Sequence, residues 1–198
     1  RMNLYIDCDG VILNTIIISY RKLRKLGYLD ENYKQIKEYS TEIRGYYATI
    51  DWNELLKEAD EINNSISAIR KIVDSGKFQN VQILTHINSV GEGIVKKEYF
   101  EKLLPSVPVR LVAKHVSKAD AVNPTNSILI DDHSPNLVDF EEQGGLGIKF
   151  DEDKTEDYRS YIQNGKTYEF PTINNLEDIL KINFNQNKTS IKVKQKTF

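Results

Sequence analysis

One short stretch near the start of the chain decides the fold: Leu4-Tyr5-Ile6-Asp7-Cys8-Asp9-Gly10-Val11. It has the pattern of a short apolar strand that ends in two carboxylates and a glycine. In open α/β sheets, ligands bind at the carboxyl ends of the strands. Because Asp7 and Asp9 stand at such an end, we expect them to have a chemical role rather than a packing role.

The remainder of the chain alternates between apolar runs and helical patterns. Over residues 65–73, for example, Ile66, Ile69 and Val73 fall on one face of a helix. Strands that alternate with helices are typical of a mainly parallel sheet covered by helices, so the pattern predicts a three-layer α/β fold. Besides the first strand, the predicted strands cover 81–84, 109–112, 127–130 and 146–150, and further helices cover 16–26, 52–62 and 94–104.

A long insertion separates the first two predicted strands. The segment from residue 12 to residue 80 is far longer than one crossover requires. We expect most of it to form a small helical cap over the edge of the sheet. The predicted division is a core of residues 2–14 and 65–183, a cap of residues 15–64, and a basic, flexible tail of residues 184–198.

The composition sets limits on partners and location. With 198 residues, of which 39% are hydrophobic and 28% charged, the chain can form one core domain and a modest insertion. A net charge of -2 provides no broad basic field, so we expect no binding to duplex nucleic acid. One cysteine and no apolar run of membrane-spanning length favour a cytoplasmic protein without membrane attachment.

Polar side chains follow several of the predicted strands. Because all strands of a parallel sheet end at the same edge, these side chains should converge in space. Clustered carboxylates need a cation or a proton, and a set of oxygen ligands suits Mg²⁺. A lysine and a threonine hydroxyl suit the oxygens of a phosphoryl group, so the cluster predicts phosphoryl transfer. The residues are Asp7 and Asp9 after the first strand, Thr85 after the second, Lys114 and Lys118 after the third, and Asp131 and Asp132 after the fourth.

These motifs, in this order, resemble those of the haloacid dehalogenase-like (HAD) phosphohydrolases. The resemblance implies a three-layer Rossmann-like parallel sheet with a small helical cap inserted after the first strand. It also implies a Mg²⁺-dependent phosphatase. The matching elements are 7–11 as the first motif, Thr85 as the second, Lys118 or Lys114 as the third, and Asp131-Asp132 as the fourth.

The resemblance assigns a role to each acidic residue. Asp7 would attack phosphorus to form an aspartyl-phosphate, while Asp9 would protonate the leaving oxygen and then activate water. Mg²⁺ would be held by the Asp7 carboxylate, the Asp9 backbone carbonyl and the Asp131 side chain. Asp132 would orient metal-bound water or support the lysine.

The phosphate-binding residues follow from the same resemblance. Thr85 would bind the phosphoryl oxygens together with the backbone at His86 and Ile87. Two lysines compete for the third motif. Lys118 is favoured because it begins a predicted helix before the fourth strand, and Lys114, at the end of the third strand, is the alternative.

Several other residues can be explained either by packing or by a role in the site. Tyr46, Tyr47 and Trp52 suit the core of the cap, but they are also candidates for substrate contact through stacking. His86 and His133 are expected to form hydrogen bonds or to face substrate rather than to bind metal. Cys8 is expected to be buried packing.

The finer resemblance is to the 5'(3')-deoxyribonucleotidases. It rests on the chain length, the short helical cap and the Asp131-Asp132-x-x-x-Asn136 pattern. It implies a nucleoside monophosphate as substrate. The oligomeric state is open, and a homodimer is one candidate. Two alternatives remain open: a sugar-phosphate phosphatase or phosphomutase of the same superfamily, and a non-catalytic protein of this fold that binds a partner.

Overall fold

The computed structural model describes residues 1–184 and the backbone of residues 196 and 197. Within that part, eight strands form one sheet. The strands are β1 (Asn3–Ile6), β2 (Asn80–Ile87), β3 (Val109–Ala113), β4 (Ser127–Asp131), β5 (Leu146–Phe150), β6 (Tyr158–Gln163), β7 (Lys166–Ile173) and β8 (Lys196–Thr197).

Seven α-helices accompany the strands in the described residues, and two short 3-10 helices lie at Lys37–Tyr39 and Leu176–Lys181. None of the described helices is long and apolar enough to cross a membrane. The α-helices are α1 (Thr15–Lys25), α2 (Ser40–Thr49), α3 (Trp52–Glu58), α4 (Ser65–Asp74), α5 (Val90–Leu103), α6 (Lys118–Ala121) and α7 (Ser134–Glu142).

The sheet is mostly parallel. Its strand order is β3-β2-β1-β4-β5-β7-β6, with β8 also paired to β7. All pairings from β3 across to β7 are parallel, whereas β6 and β8 run antiparallel to β7. The predicted Rossmann-like α/β fold is therefore confirmed.

Apolar side chains cover both faces of the sheet, as a three-layer fold requires. Along β1, Leu4 and Ile6 belong to one core cluster and Tyr5 to the other, because successive side chains of a strand point to opposite faces. Strand β4 is buried at all of its positions. This pattern is expected of a central strand between two helical layers.

Two parts of the fold differ from the predicted elements. The predicted connection between the insertion's helices contains α2, a further helix over Ser40–Thr49. Strands β6 and β7 were not predicted, and they form a hairpin around Asn164-Gly165. Both turn residues have positive φ, 50° and 74°, which is the conformation that a tight hairpin turn needs.

The insertion after β1 forms a small apolar cluster of its own. Leu23, Leu29 and Ile43 are buried there, and six tyrosines pack around them. At its base, the backbone N–H of Asp60 donates to the Asn14 side chain at 2.8 Å, and the N–H of Asn14 donates to the Asp60 carbonyl at 3.0 Å. The division into core and cap stays a prediction, and most of the predicted tail 184–198 lies outside the described residues.

The turn after β1 brings Gly10 against the fourth strand's loop. Gly10 has a φ of +79°, a backbone conformation that residues with a Cβ rarely adopt. A Cβ added there would lie 2.3 Å from Oδ2 of Asp132. The glycine therefore serves two purposes, the tight turn and the close approach of Asp132.

We expect Gly10→Ala to destabilise the protein more than Gly76→Ala. Gly76 also has positive φ, +65°, but an added Cβ there meets nothing within 4 Å. The control should therefore lower the free energy of unfolding by about 1–2 kcal/mol, from the backbone conformation alone. The clash should add about 1–3 kcal/mol at Gly10. Urea unfolding measures the free energy of unfolding of both variants. Equal losses would contradict the prediction, because they would mean that the Asp132 side chain moves aside at no energetic cost.

Candidate active site

The carboxyl ends of the central strands bring the predicted motifs together. Asp7 directly follows β1, Thr85 lies within β2 and Asp131 ends β4, while Lys118 begins α6. The register supports this arrangement, because the N–H of Asp7 donates to the carbonyl of Ile130 at 2.9 Å. Residues far apart in sequence thus meet at one edge.

Lys118 connects the first and fourth motifs. Its ammonium donates to Oδ1 of Asp7 and to Oδ2 of Asp131, both at 2.8 Å, and the side chain is almost fully buried. Burial by itself would lower the pKa of Lys118, but Asp131 and Asp7 raise it above the ordinary value. Lys114, the alternative, is exposed at the end of β3. The structure therefore brings Lys118, and not Lys114, against the carboxylates.

Three carboxylates crowd together beside Lys118. One oxygen from each of Asp7, Asp131 and Asp132 lies within 4.8 Å of the others. Burial, followed by repulsion from Asp131, raises the pKa of Asp7 well above its ordinary value and that of Asp132 to about 7. All donors are carboxylate oxygens, the ligands that Mg²⁺ prefers. The cluster fits a divalent cation.

Asp131 is the anchored member of this cluster. It accepts hydrogen bonds from the N–H of His133 at 2.9 Å and from Nδ2 of Asn136 at 3.1 Å. Burial would raise its pKa, but the Lys118 ammonium and these donors lower it below the ordinary value. Asp131 is therefore held ionised, and the turn into α7 fixes its orientation.

Asp9 lies in a different environment from Asp7. Its Oδ2 is 2.6 Å from the ammonium of Lys96, and its Oδ1 accepts a hydrogen bond from the hydroxyl of Thr15 at 2.6 Å. Burial would raise the pKa of Asp9, but Lys96 and Thr15 lower it below the ordinary value. The predicted nucleophile and the predicted acid–base residue thus each have their own lysine.

Lys96 was not among the predicted site residues. It comes from α5, is fully buried, and also contacts Glu92 at 2.6 Å. Thr85 belongs to the same group: its buried hydroxyl accepts a hydrogen bond from Lys96 at 3.0 Å and lies 3.5 Å from Oδ2 of Asp9. The role of Thr85 in phosphate binding stays a prediction.

His86 and His133 border the same edge. Burial lowers the pKa of both imidazoles, so both are neutral at pH 7. Nε2 of His86 is 2.7 Å from the carbonyl of Val116, and a neutral ring makes this contact as the donor. His86 therefore presents a fixed, uncharged ring to the site.

A cavity of about 940 Å³ separates the carboxylates from the helical insertion. Tyr47 and Trp52, two predicted substrate-contact residues, line it. Tyr46, the third, packs edge-to-face on Tyr47, with ring centroids 5.3 Å apart and its hydroxyl buried. Arg44 and Lys114 also line the cavity, and neither forms an ion pair with the described residues.

Comparisons with known proteins give matches in structure but not in sequence. No family model and no curated protein matches the chain. The matching structures include a subfamily IA HAD-superfamily hydrolase from Geobacter sulfurreducens, at 12% identity over 91% of this chain and 98% of that chain, with a TM-score of 0.55. A HAD-like protein of unknown function from Agrobacterium tumefaciens matches at 15% identity over 90% and 96%, with a TM-score of 0.54.

A third neighbour is a phosphonoacetaldehyde hydrolase-like protein from Oleispira antarctica. It matches at 10% identity over 97% of this chain and 82% of that chain, with a TM-score of 0.53. At such identities the likeness concerns the fold. The chain therefore has the fold of the HAD-superfamily hydrolases, and the four predicted motifs lie at the carboxyl edge of its sheet.

We expect Lys118→Met to be far more destabilising than Lys114→Met. Loss of the buried ammonium leaves the carboxylates of Asp7 and Asp131 without a compensating charge. Removal of one partner from a buried ion pair lowers the free energy of unfolding by about 3–5 kcal/mol. Lys114 is exposed and should change the free energy of unfolding by less than about 0.5 kcal/mol. Chemical unfolding of both variants without metal tests this; similar losses would contradict it.

We expect Mg²⁺ to raise the melting temperature, and to do so more at pH 8 than at pH 6. The pKa of Asp132 is about 7, whereas an unfolded aspartate ionises near pH 4. The metal-free fold therefore loses stability as pH rises from about 4 through 7, because ionised Asp132 is poorly solvated where it is buried and also faces Asp131. A bound cation offsets this repulsion most where the cluster is ionised.

Asp131→Asn should remove most of the Mg²⁺ effect, whereas Asp74→Asn, an exposed control, should keep it. Thermal melts with and without Mg²⁺ at the two pH values measure the difference. An equal Mg²⁺ effect in Asp131→Asn and wild-type protein would exclude the cluster as the metal site.

Proposed function

We propose that the protein is a Mg²⁺-dependent phosphomonoesterase that acts through an aspartyl-phosphate on Asp7. The observation that carries the proposal is Lys118, which joins Asp7 and Asp131 at 2.8 Å beside Asp132. This arrangement stands at the carboxyl edge of a sheet with the HAD hydrolase fold and opens into a large cavity. We also propose a cytoplasmic location, with a single buried cysteine, Cys8, as its support.

Asp7 attacks phosphorus in this proposal. Lys118 holds Oδ1 of Asp7, which orients the carboxylate for attack on an in-line phosphoryl group. Mg²⁺, held by the carboxylate of Asp7, the backbone carbonyl of Asp9 and the side chain of Asp131, with Asp132 nearby, would neutralise charge on the phosphoryl oxygens and on the attacking carboxylate. Lys118 adds positive charge on the protein side of the same carboxylate.

Asp9 exchanges the proton. As the bond to the leaving oxygen breaks, the Asp9 carboxyl gives that oxygen a proton, and it later takes one from the water that hydrolyses the aspartyl-phosphate. The resting pKa of Asp9 is low because Lys96 outweighs burial. A bound phosphoryl dianion raises the pKa of a neighbouring carboxylate, so substrate itself favours the protonated form for the first step.

For the substrate, we propose a nucleoside monophosphate, as a 5'(3')-deoxyribonucleotidase would use. Tyr47 and Trp52 on the cavity wall support it, because aromatic rings stack on bases. Arg44 and Lys114 favour a second class, sugar phosphates with another anionic group, because both cations line the same cavity and form no ion pair within the described part of the chain.

We expect release of phosphate from 4-nitrophenyl phosphate with Mg²⁺, and loss of turnover in Asp7→Asn. The amide cannot serve as the nucleophile, whereas Asp74→Asn should keep full activity because Asp74 is exposed on α4. Phosphate release and trapping of the phosphoenzyme measure the two variants. Turnover retained in Asp7→Asn would exclude Asp7 as nucleophile.

A phosphate-release screen then separates the substrate classes. It compares deoxynucleoside 5'- and 3'-monophosphates with hexose monophosphates and bisphosphates. Preference for the bisphosphates would replace the nucleotidase assignment, and no turnover of any ester in protein that binds Mg²⁺ would favour a non-catalytic binding protein.

A further inference from the structure

Lys96 is a fully buried cation that the predicted motifs do not include. Its ammonium lies between two carboxylates, Oδ2 of Asp9 and Oε2 of Glu92, each at 2.6 Å. It also lies 3.0 Å from the hydroxyl of Thr85 and 3.2 Å from the carbonyl of His86. All of its hydrogen-bonding capacity is therefore directed at the site edge.

Packing alone does not account for such a residue. Taking an ammonium and a carboxylate out of water costs several kcal/mol for each ion, and well-packed apolar residues often replace such pairs without loss of stability. Lys96 and Glu92 are 0% and 1% exposed, four residues apart on α5. Two apolar residues would be enough to bury this face of the helix. We therefore attribute the charges of Lys96 and Glu92 to their interaction with Asp9.

Glu92 fixes the position of Lys96. Its Oε2 accepts from Lys96, while its Oε1 accepts from the N–H of Asn88 at 2.7 Å and from Nδ2 of Asn88 at 3.0 Å. Glu92 therefore ties the ammonium to the loop that follows β2. Lys96 in turn cannot swing away from Asp9 without losing this partner.

Lys96 leaves Asp9 few orientations. It holds Oδ2, and Thr15 at the start of α1 holds Oδ1 at 2.6 Å. A face of Trp52 lies over the ammonium, 5.1 Å from ring centroid to Nζ, and closes the side toward the insertion. The carboxylate of Asp9, 23% exposed, thus meets the cavity in a defined orientation.

We propose that Lys96, held by Glu92, is the positioning residue for the proton transfer by Asp9. The inference rests on the proposed phosphomonoesterase function. In the first step the bond from Asp7 to phosphorus forms, the ester P–O bond breaks, and the Asp9 proton moves to the leaving oxygen. In the second step water attacks phosphorus and gives a proton to Asp9, the bond between Asp7 and phosphorus breaks, and inorganic phosphate leaves.

The dependence on the leaving group tests this role. An alkoxide leaving group needs the proton as the P–O bond breaks, whereas 4-nitrophenolate leaves as a stable anion. Positioned general acid–base catalysis contributes about 10²-fold to 10⁴-fold. Misplacing Asp9 should therefore slow alkyl phosphates much more than 4-nitrophenyl phosphate.

We expect Lys96→Met to lower kcat/KM about 100-fold for an alkyl phosphate such as glycerol 2-phosphate, and about 10-fold or less for 4-nitrophenyl phosphate. Glu92→Gln should show the same bias at smaller size, and Lys96→Arg should recover part of the alkyl activity. Lys97→Met, exposed on the same helix, is the control and should leave both rates unchanged. Circular dichroism melts confirm that each variant is folded.

Equal losses for the two esters in folded Lys96→Met and Glu92→Gln would overturn the inference, because a merely structural lysine affects both alike. If Lys96→Met does not fold, Glu92→Gln and Lys96→Arg test the inference instead. The quantity compared is again the loss of kcat/KM for the alkyl phosphate relative to the loss for 4-nitrophenyl phosphate. Failure of wild-type protein to hydrolyse either ester is a separate result, and it would overturn the proposed function itself.

Discussion

The structure depends on how negative charge is compensated at the carboxyl edge of the sheet. Among the described residues, every buried charged side chain belongs to this edge: Asp7, Asp131 and Glu92 as anions, and Lys96 and Lys118 as cations. Burying an unpaired carboxylate costs far more than burying a paired one. The edge can therefore exist only if each lysine reaches its carboxylates, which requires the parallel register of β1, β2 and β4 and the positions of α5 and α6.

The two lysines divide the carboxylates into two groups with different chemistry. Lys118 serves Asp7 and Asp131, where burial and repulsion from Asp131 still raise the pKa of Asp7. Lys96 serves Asp9, whose pKa it lowers against the effect of burial. Opposite shifts in neighbouring carboxylates are typical of sites where one group takes a role the other does not. The first group suits a cation and a nucleophile, and the second suits a proton carrier.

The alternation of strands and helices was sufficient to predict the parallel sheet and the meeting of Asp7, Thr85 and Asp131 at its edge, because parallel strands end at the same edge. The preference for Lys118 over Lys114 came with the family resemblance. Lys96 could not be found in this way. Glu92 and Lys96 stand four residues apart on a helix, a spacing that usually marks an exposed ion pair, and their burial follows only from how α5 packs on the sheet. The hairpin of β6 and β7 was missed although a signal existed, since Asn164-Gly165 between alternating residues is the turn that such hairpins favour.

One hydrogen bond joins the insertion to the proposed catalytic residue Asp9. Thr15, the first residue of α1, donates to Oδ1 of Asp9 at 2.6 Å, while Gly10, in the turn before α1, lies close to the Asp132 side chain. Trp52, from α3, lies on the ammonium that holds the other oxygen of Asp9. Thr15 thus contacts the carboxylate that is proposed to move the proton, and Trp52 contacts the ammonium that holds it. We therefore expect a change in the insertion that shifts α1 or α3 to alter the position of Asp9 as well, which would couple the proposed substrate contacts to the proposed proton transfer.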